Sequence, residues 1–285
     1  VTAPAVHNPG GDRSAPAEAL VYTTLVPVIS LGGHFGKLPS TAAAGRFVPL
    51  PPIFLNDPRN MLDWTVHAGP MRRRQAEGAE RAPAEPIEVP RWLDEVRAMR
   101  GRVLHAGGRR PQFFDAATQR CYDTQPHDLQ AWHIVARLNG QIVGCVRCAP
   151  LGTSDSPLAA ILGHEQLNQI VASLGATPEQ CSEVSRWTVD PECGMIGLGY
   201  DLIAAVWAFL ADSGFRFGLA AAGTAGKQDR ILHQLGLRYL EGVEDRWSAT
   251  FDDTLRFMYA PFEQPVEKLE PGLADMRQRL RQASD

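Results

Sequence analysis

One string constrains the fold more than any other part of the chain. It runs from Glu183 to Gly199 and reads EVSRWTVDPECGMIGLG. A β-rich run ends at Asp190-Pro191, and the turn Gly194-Met195-Ile196-Gly197-Leu198-Gly199 opens a segment with helical periodicity. Leu198, Leu202, Val206, Phe209 and Leu210 recur at helical spacing, and Gly214 is placed to stop the helix. Strand, glycine-rich turn and helix together make an anion site. The first N–H groups of a helix lack intrahelical acceptors, and the helix dipole is positive there.

Two nucleotide-binding loops are excluded by the flanks. A P-loop ends in Gly-Lys-Ser/Thr, whereas Gly199 is followed by Tyr200-Asp201. A dinucleotide fingerprint reads G-x-G-x-x-G, and here the spacing is reversed. A plain tight turn is the bland alternative. The loop resembles the pyrophosphate loop of the GNAT superfamily of N-acyltransferases, Gln/Arg-x-x-Gly-x-Gly/Ala, with Gly194 at the Gln/Arg position. Downstream, Phe215 to Ala222 reads as a buried strand. Lys227 to Gly236 reads as a helix with apolar Ile231, Leu232 and Leu235, followed by Leu237. That order resembles the second half of the GNAT fold, whose last helix often reads Tyr-x-x-Leu-Gly-Phe. Leu232 stands where that tyrosine, which often protonates the leaving thiolate, would be.

A narrower resemblance lies upstream. Glu183-Val184-Ser185-Arg186-Trp187 is similar to the Glu-x-Ser-Arg-Phe string of acyl-homoserine-lactone synthases and of the related long-chain N-acyl amino acid synthases. Gly144-Cys145-Val146-Arg147-Cys148-Ala149-Pro150 resembles their Gly-Cys-x-Arg-Leu-x-Pro strand end. Arg100-Gly101-Arg102-Val103-Leu104 and Tyr122-Asp123 match half of their N-terminal pattern, with no Trp between them. The resemblance spans residues 91 to 242. It implies an α/β (α+β) fold of GNAT type: a mixed, mostly antiparallel central sheet flanked by helices. It also implies acyl transfer from an acyl-CoA, or from a phosphopantetheine-linked donor on an acyl carrier protein, to the amine of an amino acid or similar small molecule. No permanently bound cofactor is expected. A plain acetyl-CoA-dependent N-acetyltransferase and a non-catalytic acyl-CoA-binding module are the competing readings.

The residues take the following expected roles. Glu183 is the general base, directly or through a water, since burial raises a glutamate toward the operating pH. Arg147 meets Glu183 or an acceptor carboxylate, because a guanidinium matches a carboxylate bidentately. Ser185 shares the strand face of Glu183, and Arg186 lies on the other face if the strand is regular. An ion pair between Glu183 and Arg186 is the structural alternative. Gly194, Met195, Ile196, Gly197, Leu198 and Gly199 would hold the donor phosphate. The backbone of Trp187, Thr188 and Val189 would align the pantetheine arm and face the thioester carbonyl. His133 and His233 are weaker proton-transfer candidates, and Cys193 reads as a small loop residue.

Composition bounds the rest. The chain has 285 residues, 44% of them hydrophobic, and a formal net charge of −4. That balance gives no reason to propose nucleic acid or an anionic membrane as partner. Five cysteines suggest no disulfide framework, and Cys145-x-x-Cys148 lacks a second ligand pair, so no metal is expected. Ala19 to Leu31 is too short to span a bilayer and carries Pro27, so no transmembrane segment and a cytoplasmic location are expected.

Residues 1–87 read as a Pro/Gly-rich extension, partly disordered or packed on the domain, and 88–285 as the acyltransferase domain. Within the extension, Phe35, Phe47, Leu50, Ile53, Phe54 and Leu55 could dock over an acyl site. Arg72-Arg73-Arg74 reads as a solvated linker or a patch for an acidic carrier protein. The domain opens with a helix bearing Trp92, Val96, Met99 and Val103 on one face, followed by a loop at Phe113-Phe114-Asp115. Trp132–Leu138 and Gln141–Cys148 flank Asn139-Gly140, a two-residue hairpin signal. One or two helices are expected over Leu158–Leu174, a strand after Asp252 and a helix over Leu273–Gln282.

Overall fold

The computed structural model describes residues 61–71 and 87–282, apart from 109, 153–155, 266 and 268. The apolar arm residues between 35 and 55 and the Arg72–Arg74 run lie outside the described residues.

The central sheet is built from β1 (Leu62–Ala68), β4 (Trp132–Leu138), β5 (Gln141–Pro150), β6 (Cys181–Val189), β7 (Phe217–Gly223), β10 (Asp253–Pro261) and β8 (Arg238–Tyr239), in that spatial order. β9 (Arg246–Ser248) pairs with β10 off this path. All pairings are antiparallel except β6 with β7. β2 (Phe114–Asp115) and β3 (Arg120–Cys121) form a separate small ladder where a loop was expected.

The boundary expected near residue 88 falls inside the fold. Leu62–Ala68 comes from the segment read as an extension, and it pairs along its whole length with β4, from Leu62↔Leu138 to Ala68↔Trp132. Its inward residues Leu62 and Trp64 are buried, with exposed Asp63 between them. This period-2 pattern is short, which is why the sequence did not single it out.

Helices cover both faces. α4 (Leu198–Asp212) and α6 (Glu270–Gln282) pack on one face, where Leu202, Val206, Trp207, Leu273 and Met276 join the main core. α1 (Arg91–Ala106) covers β4 and β5 on the other face through Val96 and Met99. Beside it, α2 (Pro157–Leu162) and α3 (His164–Ser173) cover Cys181, Leu219 and Phe257. α5 (Gln228–Gln234) follows β7 and buries Leu232. Gly144 permits the closest approach of α4 to the sheet, since a Cβ there would lie 2.9 Å from Leu202 Cδ1. The hairpin, the strand–loop–helix and the later strands and helices thus occupy the places the sequence indicated.

Two local irregularities open the sheet. β6 and β7 pair only over Cys181–Glu183 and Phe217–Leu219, and pairing ends there. On its other side β6 carries a bulge: Cys145 faces Thr188 and Arg147 faces Ser185, so Arg186 and Trp187 together oppose Val146. Arg186 sits at φ 57°, the left-handed region. A non-glycine residue there costs about 1–3 kcal/mol, and such strain concentrates at functional sites. Bulges likewise re-aim side chains beside active sites.

Candidate active site

A cleft of about 890 Å³ lies where β6 and β7 part. Arg147, Glu183, Ser185, Arg186, Trp187 and Thr188 all line it. The bulge corrects the expectation for Arg186. In a regular strand it would point away from Glu183 and Ser185. The extra residue brings its guanidinium to the same side, against Asp123.

The polar half of the cleft is a buried charge network. Arg147 is 1% exposed; its Nε donates to Ser185 Oγ (3.2 Å) and its Nη1 to Asp128 Oδ1 (3.1 Å). Arg147 Nη2 lies 3.9 Å from Glu183 Oε1, an ion pair at the long limit. Glu183 is buried, and its Oε2 accepts the backbone N–H of Leu158 at 3.0 Å. The N-terminus of α2 therefore fixes one oxygen, while the other faces Arg147. The ion pair between Glu183 and Arg186, the structural alternative, does not form; Arg186 pairs with Asp123.

Sequence reasoning missed the centre of this network, Asp128. It sits in a short 3-10 turn (Pro126–Leu129) and is fully buried. Its carboxylate accepts from Arg97 Nε (2.9 Å), Arg100 Nη2 (2.7 Å) and Arg147 Nη1 (3.1 Å). Burial alone would raise its pKa. The adjacent Arg100 and Arg147 guanidiniums outweigh that and hold it well below the usual carboxylate range. Asp123, half of the Tyr122-Asp123 match, bridges Arg100 and Arg186: its Oδ2 lies 3.1 Å and 2.9 Å from their Nε atoms. These are charge contacts without aligned N–H bonds. Arg97, Arg100, Arg147 and Arg186 thus face Asp123, Asp128 and Glu183, one positive charge in excess, with Arg147 and Arg186 on the cleft wall.

Neither His133 nor His233 lines the cleft. His133 is fully buried, and burial lowers its pKa to about 3, so it is neutral. Its Nε2 lies 3.0 Å from Asp128 O. His233 is exposed and stacks on Tyr239, with ring centroids 4.7 Å apart. Burial raises the Cys193 thiol, which leaves it poorly suited to act as a nucleophile.

The other half of the cleft is apolar. β7 reads FGLAAAG, and Gly218, Ala220 and Ala222 line the side facing α4 and α5. Opposite them stand Ile203, Val206, Trp207, Leu232, Leu237 and Phe262. A buried central strand ordinarily carries branched residues that fill the space under a helix. Gly218 gives its space to Phe262, since a Cβ there would lie 2.6 Å from Phe262 Cζ, while the small side chains of Ala220 and Ala222 border the cleft.

The glycine loop lies outside this lining. Gly194 (φ 65°) and Gly197 (φ 89°) are left-handed, and Gly197 is the N-cap of α4 without a side-chain cap. Trp187 connects loop and cleft: its Nε1–H donates to Gly199 O at 3.1 Å. A Cβ on Gly199 would lie 3.1 Å from the Trp187 ring. Val189, Met195, Ile196 and Leu198 do not face the cleft. Ile196 is 67% exposed on the loop, whereas Leu198 is buried in the core.

No family model and no curated protein sequence matches the chain. Among solved structures it is similar to BjaI, a CoA-dependent acyl-homoserine lactone synthase bound to SAM and isopentyl-CoA. The TM-score is 0.50 and the identity 13%, over 76% of this chain and 89% of that one. MesI, another CoA-dependent acyl-homoserine lactone synthase, matches with TM-score 0.49 and 15% identity, over 75% and 95% of the two chains. FeeM, an N-acyl amino acid synthase from uncultured soil microbes, matches with TM-score 0.45 and 12% identity, over 78% and 97%. At such identities the likeness is one of fold. The chain has the GNAT-type fold that its sequence motifs resemble, a fold it shares with BjaI.

Proposed function

We propose that this chain is an N-acyltransferase. It moves an acyl group from an acyl-CoA or acyl-carrier thioester to the amine of a small molecule that carries a carboxylate, most simply an amino acid. The observation that carries this reading is the cleft at the β6–β7 divergence. It joins a buried carboxylate and cationic wall to an apolar branch.

Acyl transfer needs a neutral amine beside a positioned thioester, donors for the developing oxyanion and a proton for the thiolate. The thioester enters along β6, whose pairing with β7 has ended, so the backbone of Trp187 and Thr188 is open to the pantetheine arm. The acyl chain occupies the Gly218–Ala222 branch. Its apolar walls favour a chain longer than acetyl, because each buried CH₂ contributes about 0.8 kcal/mol. The acceptor carboxylate lies against Arg147 and Arg186, whose network has one positive charge in excess. The amine attacks the carbonyl carbon, its proton passes to Glu183 through water, and the C–S bond breaks. With Leu232 in place of a tyrosine, the departing thiolate takes its proton from solvent.

Incubation of the protein with acyl-CoAs from C2 to C16 and amino acids, with thiol release and amide mass as readouts, tests this. Release coupled to an amide, strongest for long chains, is expected. Thioester binding without release in any combination would favour a binding module instead.

A further inference from the structure

One wall of the cleft belongs to neither the glycine loop nor the charge network. β9, the turn after it and the first residue of β10 contribute Arg246, Trp247, Thr250, Phe251 and Asp253 to the lining. This strap spans the mouth and is tied down on both sides. On one side, Arg110 donates from Nη1 to Phe251 O at 2.7 Å, and its guanidinium lies 4.6 Å from the Phe251 ring centroid. Gln112 Nε2 reaches Thr250 O at 3.4 Å beside it. On the other side, Arg246 donates to Ile161 O at 2.7 Å and to Gln166 Oε1 at 2.5 Å. The strap therefore runs from the segment after α1 to the α2–α3 helices, over the polar half of the site.

Phe251 lies against that half. Its ring centroid lies 5.9 Å from the Arg186 guanidinium carbon, so an apolar surface adjoins the cation proposed to receive the acceptor carboxylate. Trp247 is 63% exposed at the same mouth, an uncommon state for a tryptophan that packs only on its own protein. Apolar ring and guanidinium side by side match a ligand with a carboxylate and an apolar group on one carbon.

We propose that the 246–253 strap selects the acceptor: Phe251 contacts an apolar side chain of an α-amino acid, and Arg110 is a positioning residue that holds Phe251 in place. This rests on the acyl-transfer reading and adds which acceptors are taken. A buried aromatic contact discriminates by transfer of apolar surface, which separates leucine or phenylalanine from serine or aspartate by at least tenfold.

The test is a steady-state comparison of kcat and KM for leucine, phenylalanine, serine and aspartate with one fixed acyl-CoA. Wild type is expected to prefer the apolar pair at least tenfold in kcat/KM. Phe251→Ala is expected to raise the KM for leucine and phenylalanine about tenfold and to collapse the preference, with the KM for the acyl-CoA within twofold. Arg110→Ala should move the same KM values in the same direction, and Arg110→Lys should restore part of the loss. An unchanged apolar-to-polar ratio in Phe251→Ala, with amide still formed, overturns the proposal and leaves acyl transfer standing. Equal losses for donor and acceptor overturn it too, since they signal a merely structural strap. Absence of amide from wild type with every acceptor overturns both readings.

Discussion

The Asp128→Asn substitution isolates what holds the polar half of the site together. Asparagine nearly preserves the shape, so no cavity term enters; the charge is lost and one acceptor oxygen becomes an N–H donor facing guanidinium donors. The Asp128 carboxylate is fully buried and is shared by Arg97, Arg100 and Arg147 at 2.7–3.1 Å. Without it, Arg100 keeps Asp123, but Arg147 is left with the Ser185 hydroxyl and, as its one carboxylate, Glu183 at 3.9 Å. Removing one partner of a buried ion pair costs about 3–5 kcal/mol, because the remaining charge is left uncompensated away from water. Total stability for a domain is about 5–15 kcal/mol, so the loss is a large fraction of it. At about 2–4 °C per kcal/mol for this size, Tm should fall by about 6–20 °C. The assay is urea unfolding followed by circular dichroism, with the midpoint lowered at constant m. The pH dependence fixes the sign. A carboxylate held below its unfolded pKa of about 4 stabilises the fold above that pH and loses the effect as pH falls toward its native value. Wild type and variant should therefore differ most at neutral pH and converge in acid. A loss below about 1 kcal/mol at pH 7 would refute the argument that Asp128 neutralises these guanidiniums.

Two further outcomes follow from the same geometry. Ala220→Leu inserts a side chain into the apolar branch; turnover of C8 and longer thioesters should drop at least tenfold while acetyl transfer persists, and equal losses at every chain length would show that the branch does not hold the acyl group. His133 has its pKa lowered to about 3 by burial, so between about pH 6.5 and 3 the unfolded chain binds a proton that the native state refuses. Stability should fall there by about 1.4 kcal/mol per pH unit on this account and be flat above, and His133→Asn should lose that part of the slope; the same slope in the variant would show that His133 is not the group responsible.

Much of this site was legible as local strings, and the rest was not local. Asn139-Gly140 marks its hairpin because few dipeptides accept that turn, and both residues do take positive φ there, 51° and 80°. Glu183, Ser185 and Arg147 fall on one cleft wall because they sit on neighbouring strands, Arg147 facing Ser185. The position of Arg186 needed the bulge, which depends on how β5 and β6 register and leaves no mark in composition. Asp128 stands in an ordinary Pro-His-Asp-Leu turn, and only folding brings it to three arginines from two other elements. Phe251 is likewise remote in sequence from every residue it meets at the mouth. β1 was hidden because its alternation lasts for one short strand after a proline-rich stretch.

The central claim is that Glu183 serves acyl transfer in the β6–β7 cleft. The most direct measurement is thiol release from a long-chain acyl-CoA with an apolar amino acid, wild type against Glu183→Gln, with amide mass confirmed. The account predicts coupled thiol and amide in wild type. In the variant kcat should fall about 10²–10⁴-fold with little change in donor KM, the range of a lost general base. Amide formation at the wild-type rate by Glu183→Gln would contradict it.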